Sequence, residues 1–192
     1  MENIKPEENI GTSENKIEVS NIATINEKLA KGEGLNESDK HFLLYATSVE
    51  GLTYPENFDG DILLYKVTSA KGLTLPKTMS GHLHLSAITS AEGLVLPRSV
   101  GGSLHLDSIT SPQGLVLPEK VGGSLGLSGL ISAEGLIIPE NVRAVWLESL
   151  VSAKGIIFPE RTGGNVDIFS MPSEEAKKLQ EKYINIKFYL GR

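Results

Sequence analysis

Three histidines and one aspartate are the residues of this sequence whose types and spacing could form a metal site. One residue separates His82 from His84, and His105 precedes Asp107 by the same spacing. Three imidazoles and a carboxylate are a donor set that zinc or another divalent ion accepts. A column of solvated histidines has the same composition, and no further group is evident that would orient the rings. We expect no metal and no cofactor, and a metal-binding or enzymatic role is the third of three hypotheses.

Motifs of catalytic sites are missing from the sequence. There is no nucleophile elbow, P-loop or HExxH motif, and no pair of acidic residues recurs at a fixed position. Ser103 and Ser124 follow Gly-Gly pairs, which is typical of turn residues rather than nucleophiles. The chain has no cysteine, which excludes disulfides, thiol catalysis and cysteine-bound zinc. We therefore predict that the protein is not an enzyme and has no catalytic residues.

An internal repeat positions these residues. Sixteen of the 20 glycines lie between residues 51 and 171, and six of them are spaced by 21, 21, 21, 21 and 20 residues. These six are Gly51, Gly72, Gly93, Gly114, Gly135 and Gly155. One unit reads GLVLPRSVGGSLHLDSITSPQ. A period of this length indicates short coils that stack on one another.

Each repeat contains two alternating stretches that are typical of half-buried strands, such as residues 94–96 and 104–106. Between them lie Pro97 and the pair Gly101 and Gly102, which predict a turn in which the glycines take positive φ. The predicted inward positions share small or apolar side chains and recur in every coil. In one coil they are Ala91, Leu94, Leu96, Val100, Leu104, Leu106 and Ile109.

The ends of the chain differ from the middle and predict caps. Residues 1–18 are polar and predict a disordered tail, and residues 19–50 a helical N-terminal cap. Ser20 or Asn21 would begin its first helix, which ends near Ala30 before Gly32, and Asn36 would begin a second helix through about Ala46. The side chains expected to cover the first coil are Leu35, Phe42, Leu43 and Tyr45. Residues 172–192 predict a helix from Ser173 and a closing strand formed by Ile184, Ile186, Phe188 and Leu190.

The fold class predicted for residues 51–171 is mainly β, a leucine-rich-repeat-like or β-solenoid of about six 21-residue coils. The stretch LPxxVGGSLHL resembles the short leucine-rich repeats of bacterial secreted effectors, and more closely the LPxxVGGSLxLxGLTS repeats of bacterial and phage proteins. This resemblance implies a scaffold that binds protein partners, as a bacterial effector or a phage-encoded modulator would. The asparagine ladder of leucine-rich repeats is replaced here by apolar residues, which favours a compact β-solenoid with two strands per coil. These residues are Val67, Ile88, Ile109, Leu130, Leu150 and Met171.

Recognition is expected on the outward positions of the second strand of each coil, because they vary while their neighbours hardly do. The first outward row is Leu63, His84, His105, Gly126, Trp146 and Asp167, and the second is Tyr65, Ser86, Asp107, Ser128, Glu148 and Phe169. Aromatic residues and histidines suit interface anchors. The predicted partner-binding residues are Tyr65, His84, His105, Asp107, Trp146 and Glu148. Trp146 is the only tryptophan and lies in the 20-residue coil, so it either contacts a partner or fills space left by a missing glycine turn.

The first stretch of each coil predicts a second outward column, Thr53, Thr74, Val95, Val116, Ile137 and Ile157. Its last four residues form an apolar ladder that would be covered by the C-terminal segment around Phe188, by a second copy or by a target protein. β-Branched residues also simply favour strands. A structural, self-assembling protein that homodimerises through Val95, Val116, Ile137 and Ile157 is therefore the second hypothesis.

Net charge bears on the class of partner. The chain has 18 basic and 24 acidic residues, a net charge of −6, which predicts neither nucleic-acid nor anionic-membrane binding. No apolar run approaches the roughly 20 residues of a membrane span, and the first residues do not resemble a signal peptide. We expect a cytoplasmic protein, or one secreted by a route independent of signal peptides, and a protein partner is the first hypothesis.

Overall fold

Each repeat forms one coil of a parallel β-solenoid of about six coils, roughly 21 residues apart, with short helices at both ends. The computed structural model describes residues 13–140 and 142–190, with side chains from residue 21 onward. The predicted fold class is therefore confirmed. Within the described ranges, no helix has both the length and the apolar character needed to cross a bilayer.

Two parallel sheets run along the stack, and the neighbours in each are equivalent segments of successive coils. The helices are α1 (Ser13–Ala30), α2 (Glu37–Tyr45) and α3 (Ser173–Lys182). The four-stranded sheet contains β1 (Asn57–Phe58), β3 (Thr78–Met79), β5 (Ser99–Val100) and β7 (Lys120–Val121). The seven-stranded sheet contains, in spatial order, β2 (Ile62–Leu63), β4 (Leu83–His84), β6 (Leu104–His105), β8 (Ser124–Gly126), β9 (Ala144–Trp146), β10 (Asn165–Ile168) and β11 (Lys187–Leu190).

The second predicted strand of each coil is present, whereas the first is wrongly placed. Residues 104–105 form β6 as expected, but residues 94–96 form no strand. At the equivalent position of other coils, isolated parallel β-bridges join Thr53 to Thr74 and Ile137 to Ile157. The other strand of the coil, β5, comes after Pro97, where the sequence predicted a turn. Pro97 lacks an N–H group, so a ladder along this segment cannot continue through residue 97.

The paired glycines are also used differently from the prediction. Gly101 and Gly102 are not among the glycines with positive φ, whereas Gly93 has φ 71°. A Cβ on Gly102 would lie 2.8 Å from the carbonyl carbon and oxygen of Gly81 in the preceding coil. The pair is therefore required by the close approach of successive backbones, and the sharp bend of the coil occurs at the glycines that mark the period.

The predicted inward columns form one continuous core. Leu104, Leu106 and Ile109 have no exposed surface, and Leu94 and Leu96 are half-buried against them. The column that replaces the asparagine ladder is buried from Val67 to Met171. Core columns of this kind explain why one coil cannot fold alone, since each depends on the next to cover its apolar edge.

Two helices cap the N-terminal end, and the first begins earlier than predicted. α1 starts at Ser13, not at Ser20 or Asn21, so residues 13–18 are helical rather than part of a tail; the predicted disorder of residues 1–12 lies outside the described residues. Asn36 caps α2 as predicted, in a capping box with Asp39. Lys28 of α1 donates to Asp39 at 2.6 Å, which joins the two helices.

Most of the predicted cap contacts are present. Leu43 is buried and Leu35 and Phe42 pack against the core, but Tyr45 is exposed and does not cover the first coil. At the other end, α3 begins at Ser173 as predicted.

The closing strand is shorter than the alternating pattern. β11 begins only at Lys187 and pairs with β10, and of the four residues assigned to it Ile186 and Phe188 are buried. Ile184 precedes the strand and is 77% exposed, and Leu190 is 41% exposed.

Candidate functional site

The two outward rows of the seven-stranded sheet are aligned as predicted. We call the first the imidazole row, which comprises Leu63, His84, His105, Gly126, Trp146 and Asp167, and each member pairs with the next in the strand register. The flanking row lies two residues further along each coil and comprises Tyr65, Ser86, Asp107, Ser128, Glu148 and Phe169. The in-register parallel pairing therefore brings side chains that are 21 residues apart in sequence into direct contact.

Four of the predicted partner-binding side chains form one continuous line of rings. The ring centroids of Tyr65 and His84 are 4.9 Å apart, and those of His84 and His105 are 4.2 Å apart with planes inclined by only 9°. Trp146 then contacts His105 at a centroid distance of 5.4 Å. Each ring restricts the rotation of its neighbours, so contacts within the protein order this line of side chains.

The contact between Trp146 and His105 depends on Gly126. In the register, Gly126 lies between these two residues, and it has no side chain to separate them. A Cβ at this position would lie 2.5 Å from Oδ1 of Asp107 and 2.9 Å from Nδ1 of His105. Trp146 therefore occupies the space above Gly126, and its side chain remains half-buried.

Asp107 links three successive coils. Its carboxylate lies 3.4 Å from Nδ1 of His105, and it accepts hydrogen bonds from Oγ of Ser86 and from the N–H of Ser128. Burial acts to raise the pKa of Asp107, but the hydrogen bonds from His105 and Ser128 outweigh it and hold the pKa below its usual value. The flanking row therefore carries a negative charge at neutral pH beside the histidines of the imidazole row.

His82 does not join the line of rings as a free ligand. Its Nδ1 accepts the backbone N–H of Ser103 at 2.9 Å. Asp61 accepts the N–H of His82 in the same way at 2.7 Å, and Oγ of Ser103 accepts the N–H of Ser124 at 3.0 Å. These side chains connect the backbones of successive coils. This role could not be predicted from the sequence, because three different residue types perform it.

The histidines do not converge on a common point. The rings of His84 and His105 are nearly parallel, so the lone pairs in their planes point side by side. In the part of the chain that the structure describes, no group of three or more histidine or acidic residues is placed to hold a metal ion. The geometry of this face therefore suits stacking and hydrogen bonding.

Glu148 and two aromatic residues extend the same surface at its C-terminal end. Glu148 is exposed two residues after Trp146, and Phe169, which was not among the predicted partner-binding residues, is 50% exposed. Tyr189 pairs with Asp167 and is 40% exposed, with Nζ of Lys187 4.7 Å above its ring. Sequence reasoning missed Tyr189 because α3 separates β11 from the repeats and the period does not predict its register.

A pocket that the sequence did not predict lies between the N-terminal helices and the first coil. It has a volume of about 630 Å³ and is lined by Leu29, Leu43, Tyr54, Phe58 and Leu63, among others. This volume is within the range of small-molecule pockets. Since Leu63 also begins the imidazole row, the pocket adjoins that row at its N-terminal end.

Burial lowers the pKa of His84, and the neighbouring charges of His105 and His82 lower it further against the opposing effect of Asp107 and Asp61. The unfolded chain therefore takes up a proton near the usual pKa of 6.5, which the folded chain resists. The stability that neutral His84 contributes is complete above this pH and is lost as the pH falls through it.

We therefore expect the melting temperature to fall on acidification from about pH 8 to about pH 5.5, and to fall less in His84→Gln. Glutamine keeps a polar side chain but does not titrate. Thermal unfolding of both proteins across this range measures the difference, with their values at pH 8 as the reference. Equal losses in the two proteins would show that His84 does not couple protonation to folding.

The second outward column, which we call the ladder column, is exposed as predicted. It comprises Thr53, Thr74, Val95, Val116, Ile137 and Ile157. Its apolar members Val95, Val116, Ile137 and Ile157 are 78%, 79%, 62% and 50% exposed. The described C-terminal segment does not cover them, because Phe188 is buried against Phe158 at a centroid distance of 5.4 Å. One of the three predicted covers is therefore excluded.

The two outward surfaces offer different chemistry. The imidazole row and the flanking row present rings, hydroxyls and carboxylates held by contacts between coils, whereas the ladder column presents aliphatic side chains. No family model, no curated protein and no solved structure matches this chain.

Proposed function

We propose that this protein is a non-enzymatic scaffold that binds a partner protein through the imidazole row and the flanking row. The observation that carries the proposal is the line of rings from Tyr65 through His84 and His105 to Trp146, partly exposed on one surface. Interfaces obtain much of their affinity from a few such anchors. The resemblance of the repeats to those of bacterial effectors and phage proteins supports a role as an effector or modulator of this kind.

Preorganisation makes the row suitable for binding. A side chain that is free in the unbound protein loses rotamer entropy when a partner fixes it. Stacking already restricts His84 and His105, and contact with His105 restricts Trp146. Because the coils are held together by backbone hydrogen bonds, the surface changes little on association.

The charges around Trp146 favour a basic partner segment. Asp167 pairs with Trp146 in the register, Glu148 follows it by two residues, and Asp107 lies beside His105. An arginine or lysine over the indole ring would gain a cation–π interaction and a carboxylate partner together. The anchor and the acidic side chains therefore select the same kind of ligand.

The test begins with capture of partners on the immobilised chain and their identification by mass spectrometry. A purified partner should bind Trp146→Ala about 10- to 100-fold more weakly than wild type, as expected when a central anchor is removed. The affinity is measured by calorimetry, and circular dichroism checks that the variant stays folded. Val116→Ser, in the ladder column, is the matched control and should bind like wild type.

The combined variant Tyr65→Ala, His105→Ala, Trp146→Ala provides the decisive comparison. If it retains the wild-type affinity for every captured protein, the surface formed by the imidazole row and the flanking row is not the binding surface. Loss of binding in Val116→Ser together with retention in the combined variant would instead assign the interaction to the ladder column.

A further inference from the structure

The ladder column is bordered on both sides by exposed charges at fixed positions. Three residues before each ladder residue lies the leading column, Glu50, Lys71, Glu92, Gln113, Glu134 and Lys154. Three residues after it lies the trailing column, Glu56, Lys77, Arg98, Glu119, Glu140 and Glu160. All twelve side chains are exposed. An aliphatic stripe between two charged borders has the composition of an interface, with an apolar centre and a polar rim.

The order of charges in each column is nearly self-complementary when it is reversed. Facing the trailing column with a reversed copy of itself places Lys77 opposite Glu140 and Arg98 opposite Glu119. The leading column treated in the same way places Glu50 opposite Lys154 and Lys71 opposite Glu134. Of the two remaining pairs, Glu92 faces the uncharged Gln113, and only Glu56 with Glu160 joins like charges.

A reversed copy is what a two-fold axis produces when it lies in the interface, perpendicular to the stacking direction. This axis would pass between Val95 and Val116, which then face each other, and it would set Thr74 against Ile137. We propose that two copies of this chain associate in this antiparallel arrangement through their ladder columns. The second copy is preferred over another partner because its charges match those of this surface at four of six positions.

The parallel arrangement is disfavoured by the same charges. A two-fold axis along the stack would set each leading residue against the trailing residue of its own coil. Three of the six pairs would then join like charges, namely Lys71 with Lys77, Glu134 with Glu140 and Glu50 with Glu56, whereas Glu92 with Arg98 and Lys154 with Glu160 would join opposite charges. Like charges placed directly opposite each other oppose association, so three like pairs against one favour the antiparallel direction.

Existing ion pairs would be extended by the second copy. Nε of Arg98 lies 2.8 Å from Oε2 of Glu119 within one chain, and Nζ of Lys77 lies 2.5 Å from Oε1 of Glu56. In the antiparallel dimer, Arg98 and Glu119 of each copy would form a ring of four alternating charges. Networks of this kind stabilise more than isolated surface pairs do.

The size of the face indicates a weak dimer. Five spacings of about 4.8 Å between coils give a face roughly 24 Å long, and the bend at the glycines that mark the period keeps its width below the roughly 20 Å of seven extended residues. An interface of this size buries at most roughly 1,000 Å² in total, which is near the lower limit for specific association. We expect dissociation in the micromolar range, and the imidazole row, on a different segment of each coil, remains open to a partner.

Charge reversal in separate copies tests the pairing. Lys77→Glu and Glu140→Lys should each self-associate at least about 10-fold more weakly than wild type in sedimentation equilibrium, because each creates two like-charge contacts per dimer. A mixture of the two variants restores both contacts and should form a one-to-one heterodimer with about wild-type affinity. Lys77→Glu also breaks the ion pair with Glu56 within its own chain. Mixing the variants cannot restore that pair, so recovery of association on mixing reports the contacts between the two chains. Trp146→Ala should dimerise like wild type, so failure of the proposed function leaves this test intact.

Direction is tested by disulfide trapping in a chain that has no cysteine of its own. Under oxidation, a mixture of Thr74→Cys and Ile137→Cys should form a cross-linked heterodimer, and Thr74→Cys alone should not, because its two cysteines would be about three coils, or roughly 14 Å, apart. Glu148→Cys on the other surface is the control. Self-cross-linking of Thr74→Cys, or a wild-type chain that stays monomeric up to about 1 mM, would overturn the proposal.

Discussion

Replacement of Leu106 by alanine is expected to lower the free energy of unfolding by about 2–5 kcal/mol. Leu106 has no exposed surface and lies in a column of leucines between Leu85 and Leu127. Removing its side chain leaves a cavity that the neighbouring coils cannot close, because the N–H of Leu106 donates to the carbonyl of Gly126 at 2.9 Å and maintains the spacing. The loss should therefore include both the transfer free energy and the cavity.

Urea unfolding followed by circular dichroism measures this change. Val95→Ala is the matched control, since it also shortens an aliphatic side chain in the same coil but at a position that is 78% exposed. Its effect should stay within about 0.5 kcal/mol. Similar losses in the two variants would contradict the assignment of inside and outside in the coil.

Gly122→Ala is expected to cost about 1–3 kcal/mol or more, although it adds a single methyl group. A Cβ at Gly122 would overlap the carbonyl oxygen of Gly101 in the preceding coil. That carbonyl belongs to the backbone and cannot rotate away, and the N–H of Gly122 donates to Val100 at 2.9 Å. The coils must therefore separate locally, which weakens hydrogen bonds and core contacts together.

Gly34→Ala is the control for this change. Gly34 lies between α1 and α2, and a Cβ there would meet no atom within 4 Å. The same methyl group should therefore change the free energy of unfolding by no more than about 0.5 kcal/mol. Chemical denaturation of both variants compares them directly. A Gly122→Ala protein as stable as wild type would show that the glycine pair is not needed for close packing of the coils.

The fold could be predicted because a strict period places equivalent residues at equivalent positions of successive coils. If Leu85, Leu106 and Leu127 recur at 21-residue intervals, they occupy equivalent places, and an apolar residue in every copy must face the core. The same reasoning placed His84 and His105 at neighbouring positions of one outward row. It failed at residues 94–96, because alternation indicates burial but does not show which segments lie close enough to pair.

The candidate site was predicted in its columns but not in its contacts. The register of His84 with His105 follows from the period, whereas the contact of Trp146 with His105 crosses a whole coil and requires the missing side chain of Gly126. Tyr189 lies on the same surface because β11, which follows α3, pairs with β10. Such contacts depend on three-dimensional distances that no local pattern specifies.

By itself, the sequence determined the number of coils, the apolar columns and the residues that face outward, because the period repeats the same environment in every coil. Only the tertiary structure decided where the strands begin, why Gly122 must be glycine and how Trp146 reaches His105. The physical reason is that these features depend on the distance between neighbouring backbones. That distance is set by hydrogen bonds between coils, such as the one from Leu106 to Gly126, and not by the order of residues within a coil.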